Sequence, residues 1–198
     1  MPFNLPIFLT WLRVAAIPLL VALYYLPLGW LSVAERDFLS ALVFVIASLT
    51  DWADGYLARR LNQTSTFGAF LDPVADKLIV AAALIILVDL GRADAIVAII
   101  IIGREITISA LREWMAKIGA GRNVAVSMLG KIKTGVQMTA IPLLLYHGQI
   151  PFMPKGWETG GIGSLLLWFA ALMTLWSMGY YLYKALPVIA KLERKRTK

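Results

Sequence analysis

The sequence has no cysteine and a single histidine among its 198 residues. Without cysteine the chain can form neither disulfides nor thiolate metal sites. The histidine, His147, is expected in a loop at the end of a helix, where a lone histidine is rarely catalytic. Charged residues are also scarce, at 16% of the chain. We find no long linker and no convincing repeat, so residues 1–198 are expected to form a single domain.

Apolar residues are correspondingly abundant. They make up 60% of the sequence, whereas a soluble domain is usually about 45–50% apolar, and the mean hydropathy is +0.74. The chain is therefore expected to be a membrane protein, in which every spanning segment satisfies its own backbone hydrogen bonds. Its start, "MPFNLP", lacks the charged region and cleavage site of a signal peptide, so we expect it to be retained.

Six apolar stretches are long enough to cross a bilayer, which takes about 20 residues. They predict an all-α integral membrane protein with six transmembrane helices. With boundaries uncertain by about 2–4 residues, these helices cover residues 7–26, 38–61, 69–89, 93–115, 124–146 and 162–183.

The positive charges predict how these helices are oriented. The chain carries a net charge of +7, and its Lys and Arg residues cluster between 104 and 133 and again between 184 and 198. By the positive-inside rule both termini are cytoplasmic. In a membrane protein such an excess indicates cytoplasmic loops and contact with anionic lipid headgroups, and we expect no nucleic-acid partner.

Four aspartates interrupt the second and third predicted spans: Asp51, Asp54, Asp72 and Asp76. At about 100° per residue, the first two lie about 60° apart on one helix face and the last two about 40° apart on another. Because a short loop makes the two spans antiparallel neighbours, the pairs can converge at a similar depth.

Carboxylates inside a membrane cost about 2.5–3.5 kcal/mol each on insertion scales, and four together repel one another. Divalent cations remove both penalties, and oxygen-only ligands favour two Mg²⁺ or Mn²⁺ ions. Helix caps and interhelix salt bridges are the structural alternative, and Asp72 before Pro73 suits a cap at a helix start. Four aspartates at this spacing favour the metal site.

Small and basic residues lie between the aspartates: Gly55, Ala58, Arg59 and Gly68. The stretch from Asp51 to Asp76 reads D-x2-D-G-x2-A-R-x8-G-x3-D-x3-D, with eight fixed positions. It resembles the signature of the CDP-alcohol phosphotransferases, membrane enzymes of phospholipid synthesis.

The resemblance implies six transmembrane helices in a homodimer, in the cytoplasmic (inner) membrane of a bacterium, with the active site facing the cytoplasm. It also implies transfer of the phosphatidyl group of CDP-diacylglycerol to an acceptor hydroxyl, with release of CMP. By position, the four aspartates would hold two metal ions and Asp76 would also be the general base. The CDP portion would be contacted by Gly55, Ala58, Arg59 and Gly68.

Four further stretches resemble the family members that use glycerol 3-phosphate as acceptor: "NLPIFLTWLRVAAIP", "DPVADKL", "GREITISALREW" and "GKIKTGVQM". The positions of the basic residues support the same acceptor, because the dianionic phosphate of glycerol 3-phosphate needs cations to bind it. Arg104 and Arg112 share a stripe of the fourth span, and Arg13 lies in the first. Lys131 and Lys133 are about 200° apart, so one of them is expected to point inward. These five residues are the predicted phosphate ligands.

Other readings remain open. Arg104 could serve charge balance by pairing with an aspartate or with Glu105. A sister enzyme would use another acceptor, such as serine, inositol phosphate or phosphatidylglycerol. A cation transporter could use the aspartates as its ion site, although ion transport does not require the interleaved Gly, Ala and Arg.

Overall fold

The computed structural model describes residues 5–27, 29–61, 66–119, 128–149 and 158–196. Side chains are described in these ranges except at 5–7, 51–61, 66, 67, 69, 128–131 and 190–196. Within them the chain forms six helices, which confirms the predicted all-α class. They are α1 Leu5–Tyr25, α2 Val33–Leu61, α3 Thr66–Asp89, α4 Ala95–Lys117, α5 Met128–Tyr146 and α6 Thr159–Arg196. The last helix continues well past residue 183, where the sixth span was predicted to end.

Local hydrogen bonds fix where two of the helices begin. At α2, the Ser32 backbone N–H and hydroxyl both donate to Glu35 Oε2, at 2.8 and 2.6 Å, and the Glu35 N–H donates back to Ser32 Oγ. This capping box satisfies N–H groups that have no helical partner, and it holds the pKa of Glu35 below its usual value. At α4, Asp94 is the N-cap and accepts from the Ile96 N–H at 2.7 Å.

A glycine ends α3. Gly91 has a φ of +67°, a left-handed conformation that glycine adopts without steric penalty. The Gly91 N–H donates to the Val88 carbonyl, and the Arg92 N–H donates to the Leu87 carbonyl. This is the Schellman pattern, which turns the chain sharply and leads directly into α4.

Arg92 then ties this end of the bundle together. Its Nη2 donates to Asp37 Oδ2 at 2.8 Å, and its Nη1 donates to the carbonyl of Leu145 at 2.9 Å. The Tyr24 hydroxyl donates to the other oxygen of Asp37 at 3.1 Å. The end of α1, the start of α2, the turn after α3 and the end of α5 therefore meet, and α2 runs antiparallel to α1 and α3.

Apolar side chains from all six helices form the core. α1 packs against α2 and α3, α5 against α2 and α6, and α4 against α3 and α6. Each helix contributes at least one buried residue to the main cluster, for example Leu20, Phe44, Leu84, Ile101, Ile141 and Leu167. A second cluster joins α4 to α6 through Ile108, Met115, Tyr181 and Ala185.

Large apolar side chains also cover the outer surface, among them Leu49, Ile85, Ile99, Leu165 and Trp176. A soluble monomer rarely exposes apolar patches of that extent. Among the described residues, two helical segments are long and apolar enough to cross a membrane, Phe8–Tyr25 and Thr159–Ile189, with mean hydropathies of 1.7 and 1.6. The described residues of the other four helices do not meet that test, so six spans and cytoplasmic termini stay a prediction.

The Asp37–Arg92 pair gives a test of what holds the bundle together. The two side chains are only 7% and 11% exposed, and breaking a buried ion pair costs about 3–5 kcal/mol. We expect Asp37→Asn to lower the free energy of unfolding by about 3 kcal/mol, seen as a lower melting temperature of the detergent-purified protein.

The matched control is Asp89→Asn at the same end of the bundle. Asp89 accepts from the Tyr25 hydroxyl on the exposed surface, so its melting temperature should stay within about 1–2 °C of the wild type. Equal melting temperatures for both variants would show that the buried pair adds nothing to stability.

Candidate active site

Asp72 and Asp76 lie one turn apart on α3, and both are partly exposed. Because α3 begins at Thr66, Asp72 is not a cap, and Pro73 lies inside the helix rather than in its first turn. A proline there has no N–H to donate to the preceding turn. The structural alternative of a helix cap is therefore wrong for Asp72.

Two residues of α1 hold these carboxylates. The Thr10 hydroxyl donates to Asp72 Oδ1, and Arg13 Nη1 donates to Asp76 Oδ1, both at 2.5 Å. Arg13 Nε also donates to the Ala47 carbonyl of α2 at 3.4 Å. The sequence predicts Arg13 as a phosphate ligand, but the structure places it, 1% exposed, against a carboxylate. It thereby joins α1, α2 and α3.

A polar cavity of about 600 Å³ lies on one side of Asp76, between α3, α4 and α5. The α4 residues that line it follow one helix face, since Ser109 and Glu113 lie one and two turns after Glu105. Its polar lining consists of Asp76, Lys77, Glu105, Ser109, Arg112, Glu113, Thr134 and Gln137. Both charges and hydrogen-bonding groups are therefore available to a water-soluble ligand.

A second cavity, of about 430 Å³, lies between α1, α2, α3 and α5 and also has Asp76 in its lining. Its lining is mostly apolar: Val45, Ala47, Leu49, Ile79 and Met138 accompany Arg13, Ser48, Asp76 and Thr134. Leu49 is 60% exposed, so this cavity reaches the apolar outer surface. Asp76 thus lines both cavities, of which the first has more charged and polar side chains than the second.

Two of the predicted basic residues meet at a carboxylate. Glu105 Oε1 accepts from Arg104 Nη1 at 2.9 Å and from the Lys133 ammonium. Arg104 Nη2 also donates to Ser177 Oγ of α6, at 3.4 Å. Lys133 is 1% exposed and points inward, whereas the side chain of Lys131 is not described, so the prediction that only one of the two lysines points inward stays a prediction. The expected charge balance between Arg104 and Glu105 is also present.

Arg112 reaches the polar cavity at a different place. Its Nη2 donates to the Tyr181 hydroxyl at 3.2 Å, and its guanidinium carbon lies 5.3 Å from the centre of that ring. Arg112 is only partly buried and lines the cavity. Of the predicted phosphate ligands with described side chains, it is the one that lines the polar cavity.

Several predicted site residues have side chains outside the described part of the structure. They are Asp51, Asp54, Gly55, Ala58 and Arg59, whose backbone is helical in α2, and Lys131 at the start of α5. Gly68 is described and buried on α3. The predicted convergence of the two aspartate pairs, and the contacts of these residues with a nucleotide, stay predictions.

Sequence reasoning missed the polar residues that surround the predicted ones. Thr134 and Gln137 of α5 line the polar cavity near Lys133. Ser177 and Tyr181 of α6 accept hydrogen bonds from Arg104 and Arg112 of α4. A signal existed for Gln137, because it lies four residues after Lys133 on the same helix face. Nothing in the sequence indicated that α6 would face α4.

The described side chains give a partial test for a metal site. Among them, no group of three or more His, Cys, Asp and Glu side chains is placed to hold an ion, and Asp72 and Asp76 contribute two carboxylates. These are hard oxygen donors that suit Mg²⁺ or Mn²⁺, which keep several water and substrate ligands. The donor chemistry fits such ions once the aspartates of α2 are counted.

Comparisons with known proteins identify the family of the chain. Residues 3–176, which include the whole aspartate motif, match the family model described as CDP-alcohol phosphatidyltransferase. The chain is 48% identical over 188 residues to a protein of Salmonella choleraesuis (strain SC-B67), named CDP-diacylglycerol–glycerol-3-phosphate 3-phosphatidyltransferase. Proteins of the same name from Pectobacterium atrosepticum and Shigella flexneri are 49% and 46% identical over 187 residues. Each alignment covers 93% of this chain and 96% of the relative.

The absence of native cysteine makes the polar cavity directly testable. We expect a single Ser109→Cys substitution to react with a charged thiol reagent, because Ser109 lines the cavity and a water-filled site admits such a reagent. Leu84→Cys, at a fully buried core position, is the matched control and should stay unlabelled in the folded protein. Labelling is measured by mass shift, and equal protection of both variants would argue against a water-accessible cavity.

Proposed function

The chain belongs to the CDP-alcohol phosphatidyltransferase family, and from this premise we propose the reaction that it catalyses. It transfers the phosphatidyl group of CDP-diacylglycerol to a hydroxyl of glycerol 3-phosphate, giving phosphatidylglycerophosphate and CMP. Relatives that match over 93% of the chain carry the name of this reaction. The chain is thus a phosphatidyltransferase, and the steps below concern how its residues perform the transfer.

The observation that carries the proposal is that Asp76 lines two cavities, one of which has many more charged and polar side chains than the other. A lipid donor needs an apolar entrance, and the cavity lined by Val45, Leu49 and Ile79 offers one at the outer surface. A charged, water-soluble acceptor needs a polar compartment, and the cavity that contains Arg112 offers that. Both substrates then meet at Asp76.

At this junction Asp76 acts as the general base. Its carboxylate takes the proton of the acceptor hydroxyl, and the hydroxyl oxygen attacks the phosphorus that carries diacylglycerol. The bond from that phosphorus to the bridging oxygen of the pyrophosphate breaks, and CMP leaves with the bond's electron pair. Arg13 positions the base, because its guanidinium holds one carboxylate oxygen at 2.5 Å. Phosphoryl transfer needs positioning and charge neutralisation more than covalent help.

The four aspartates of the motif would hold two divalent ions, Mg²⁺ or Mn²⁺: Asp51, Asp54, Asp72 and Asp76. Such ions, when bound, neutralise the charge of the pyrophosphate. The Thr10 hydroxyl orients Asp72 for this role. The residues proposed to contact the CDP portion are Gly55, Ala58, Arg59 and Gly68, of which the small ones allow close approach to the backbone.

The acceptor's phosphate is proposed to bind on the α4–α5 side of the polar cavity. Arg112 supplies a guanidinium that lines the cavity, and such a group grips phosphate with two parallel hydrogen bonds. Arg104 and Lys133 supply further charge from behind Glu105, and Lys131 remains a candidate. Arg13 is reassigned from the phosphate to Asp76.

We also propose six membrane spans with both termini in the cytoplasm, in the inner membrane of a bacterium, and a homodimer. The basic residues between 104 and 133 and beyond 184 support this orientation. It places the aspartate motif near the cytoplasmic side, where glycerol 3-phosphate is available.

Release of CMP tests the reaction directly. Purified protein with CDP-diacylglycerol and glycerol 3-phosphate should release CMP, and serine, inositol phosphate or phosphatidylglycerol should not replace the acceptor. Asp76→Asn should lower turnover at least about 100-fold, the usual contribution of a general base, measured on variant protein that a melting curve shows to be folded, because the substitution also weakens the pair with Arg13. Full activity of this variant would refute the assigned base, and faster release with another acceptor would identify a sister enzyme.

Metal binding is tested without turnover. Mn²⁺ titrated into the purified protein should give an electron paramagnetic resonance signal of bound ion, and EDTA should stop CMP release. Asp72→Asn should weaken Mn²⁺ binding by about tenfold or more, because a charged oxygen ligand is lost. Asp37→Asn, at the other end of the bundle, serves as control, and equal Mn²⁺ affinities in the two variants would count against the motif as the metal site.

A further inference from the structure

Glu105 stands between the polar cavity and two buried cations. Its Oε1 accepts hydrogen bonds from both Arg104 and Lys133. Of these three described residues, Glu105 lines the cavity and the two cations do not. The carboxylate therefore occupies the place from which an anion in the cavity would reach both cations.

The two arginines of α4, of which Arg104 contacts Glu105 and Arg112 lines the same cavity, have N–H donors that no described residue accepts. Arg104 Nε and Arg112 Nε are buried and have no hydrogen-bond partner among the described residues. Buried donors without a partner are rare and call for an explanation. A phosphate monoester offers three acceptor oxygens in place of two, so it can satisfy donors that a single carboxylate leaves unused.

The charges of this cluster point to the same class of ligand. Arg104, Arg112 and Lys133 against Glu105 leave an excess of two positive charges. A phosphate monoester carries about −1.5 to −2 near neutral pH, which compensates that excess, whereas serine or inositol without a phosphate does not. The other charged pair on α4, Glu113 with Lys117, lies exposed at 2.8 Å and is balanced within itself.

We propose that Glu105 is an internal counter-anion that the acceptor's phosphate displaces. Before the acceptor binds, the carboxylate neutralises Lys133 and Arg104 and keeps both in position. When the phosphate enters, it takes over these cations and Glu105 gives way. This inference rests on the proposed function for the identity of the acceptor, glycerol 3-phosphate, and it makes Glu105 a positioning residue that sets the preference for phosphate monoesters.

The competition between carboxylate and phosphate has a signature that a merely structural role does not give. Glu105→Gln removes the competing charge at nearly constant volume. We expect its dissociation constant for inorganic phosphate to fall by about tenfold, in line with the loss of a charge-assisted hydrogen bond. Equilibrium binding of radiolabelled phosphate to the detergent-purified protein measures this.

The same substitution that raises phosphate affinity should lower the stability of the protein without phosphate. Without phosphate, Glu105→Gln should melt at a lower temperature than wild type, because Lys133 keeps its buried charge but loses the carboxylate. Saturating phosphate should then raise the melting temperature of this variant more than that of wild type. The KM for glycerol 3-phosphate should fall, while the KM for CDP-diacylglycerol should stay unchanged.

Glu113→Gln is the matched control, since it removes a carboxylate from the same wall of the cavity and should change phosphate affinity less than twofold. Unchanged or weaker phosphate binding by Glu105→Gln would overturn the proposal. Should that variant not fold, Glu105→Asp keeps the charge but shortens its reach, and it must also bind phosphate more tightly than wild type.

The phosphate measurement separates this inference from the proposed reaction. Suppose that the variant binds phosphate more tightly but the wild type releases no CMP with glycerol 3-phosphate. This result would support the proposed role of Glu105 and would reject glycerol 3-phosphate as the acceptor. If the wild type releases CMP with glycerol 3-phosphate but Glu105→Gln binds phosphate no more tightly, the proposed reaction stands and the proposed role of Glu105 is rejected.

Discussion

The ion pair between Arg13 and Asp76 joins the first helix to the third at the point where the two cavities meet. The pair is asymmetric, because Arg13 is 1% exposed while Asp76 is 34% exposed. A guanidinium buried that deeply is stabilised by a carboxylate partner, and Asp76 supplies one. The exposed part of the carboxylate remains available to ligands. This one contact therefore joins α1 to α3 and orients the carboxylate of Asp76.

Arginine has two different uses at the two ends of this bundle. Arg92 donates to a carboxylate and to carbonyl groups at the end of α5, and this set closes the end opposite the aspartate motif. Arg104 and Arg112 also lie against neighbouring helices, yet each keeps a buried Nε without a partner among the described residues. The bonds of Arg92 to the start of α2 and the end of α5 suit a structural role, whereas buried donors without a partner beside a cavity suit a ligand.

The sequence predicted the helices and the aspartate spacing because both depend on local pattern. Helical periodicity also placed Arg104, Ile108 and Arg112 on one stripe, but it could not say which helix that stripe would face. In the structure the stripe packs against α6, where Tyr181 contacts Ile108 and Arg112. The pairing of Arg13 with Asp76 was likewise beyond prediction, since it depends on the register between α1 and α3.

The acceptor preference then follows from charges that lie outside the aspartate motif. Under the proposed function, the aspartates serve the pyrophosphate of CDP-diacylglycerol, whichever acceptor binds. In the same proposal, the phosphate of the acceptor compensates the excess positive charge of Arg104, Arg112 and Lys133. An acceptor without a phosphate would leave Lys133 and Arg104 paired with Glu105, so these cations would add nothing to its binding free energy. A family member with the same aspartates can therefore change its acceptor through α4 and α5, without altering the chemistry of transfer.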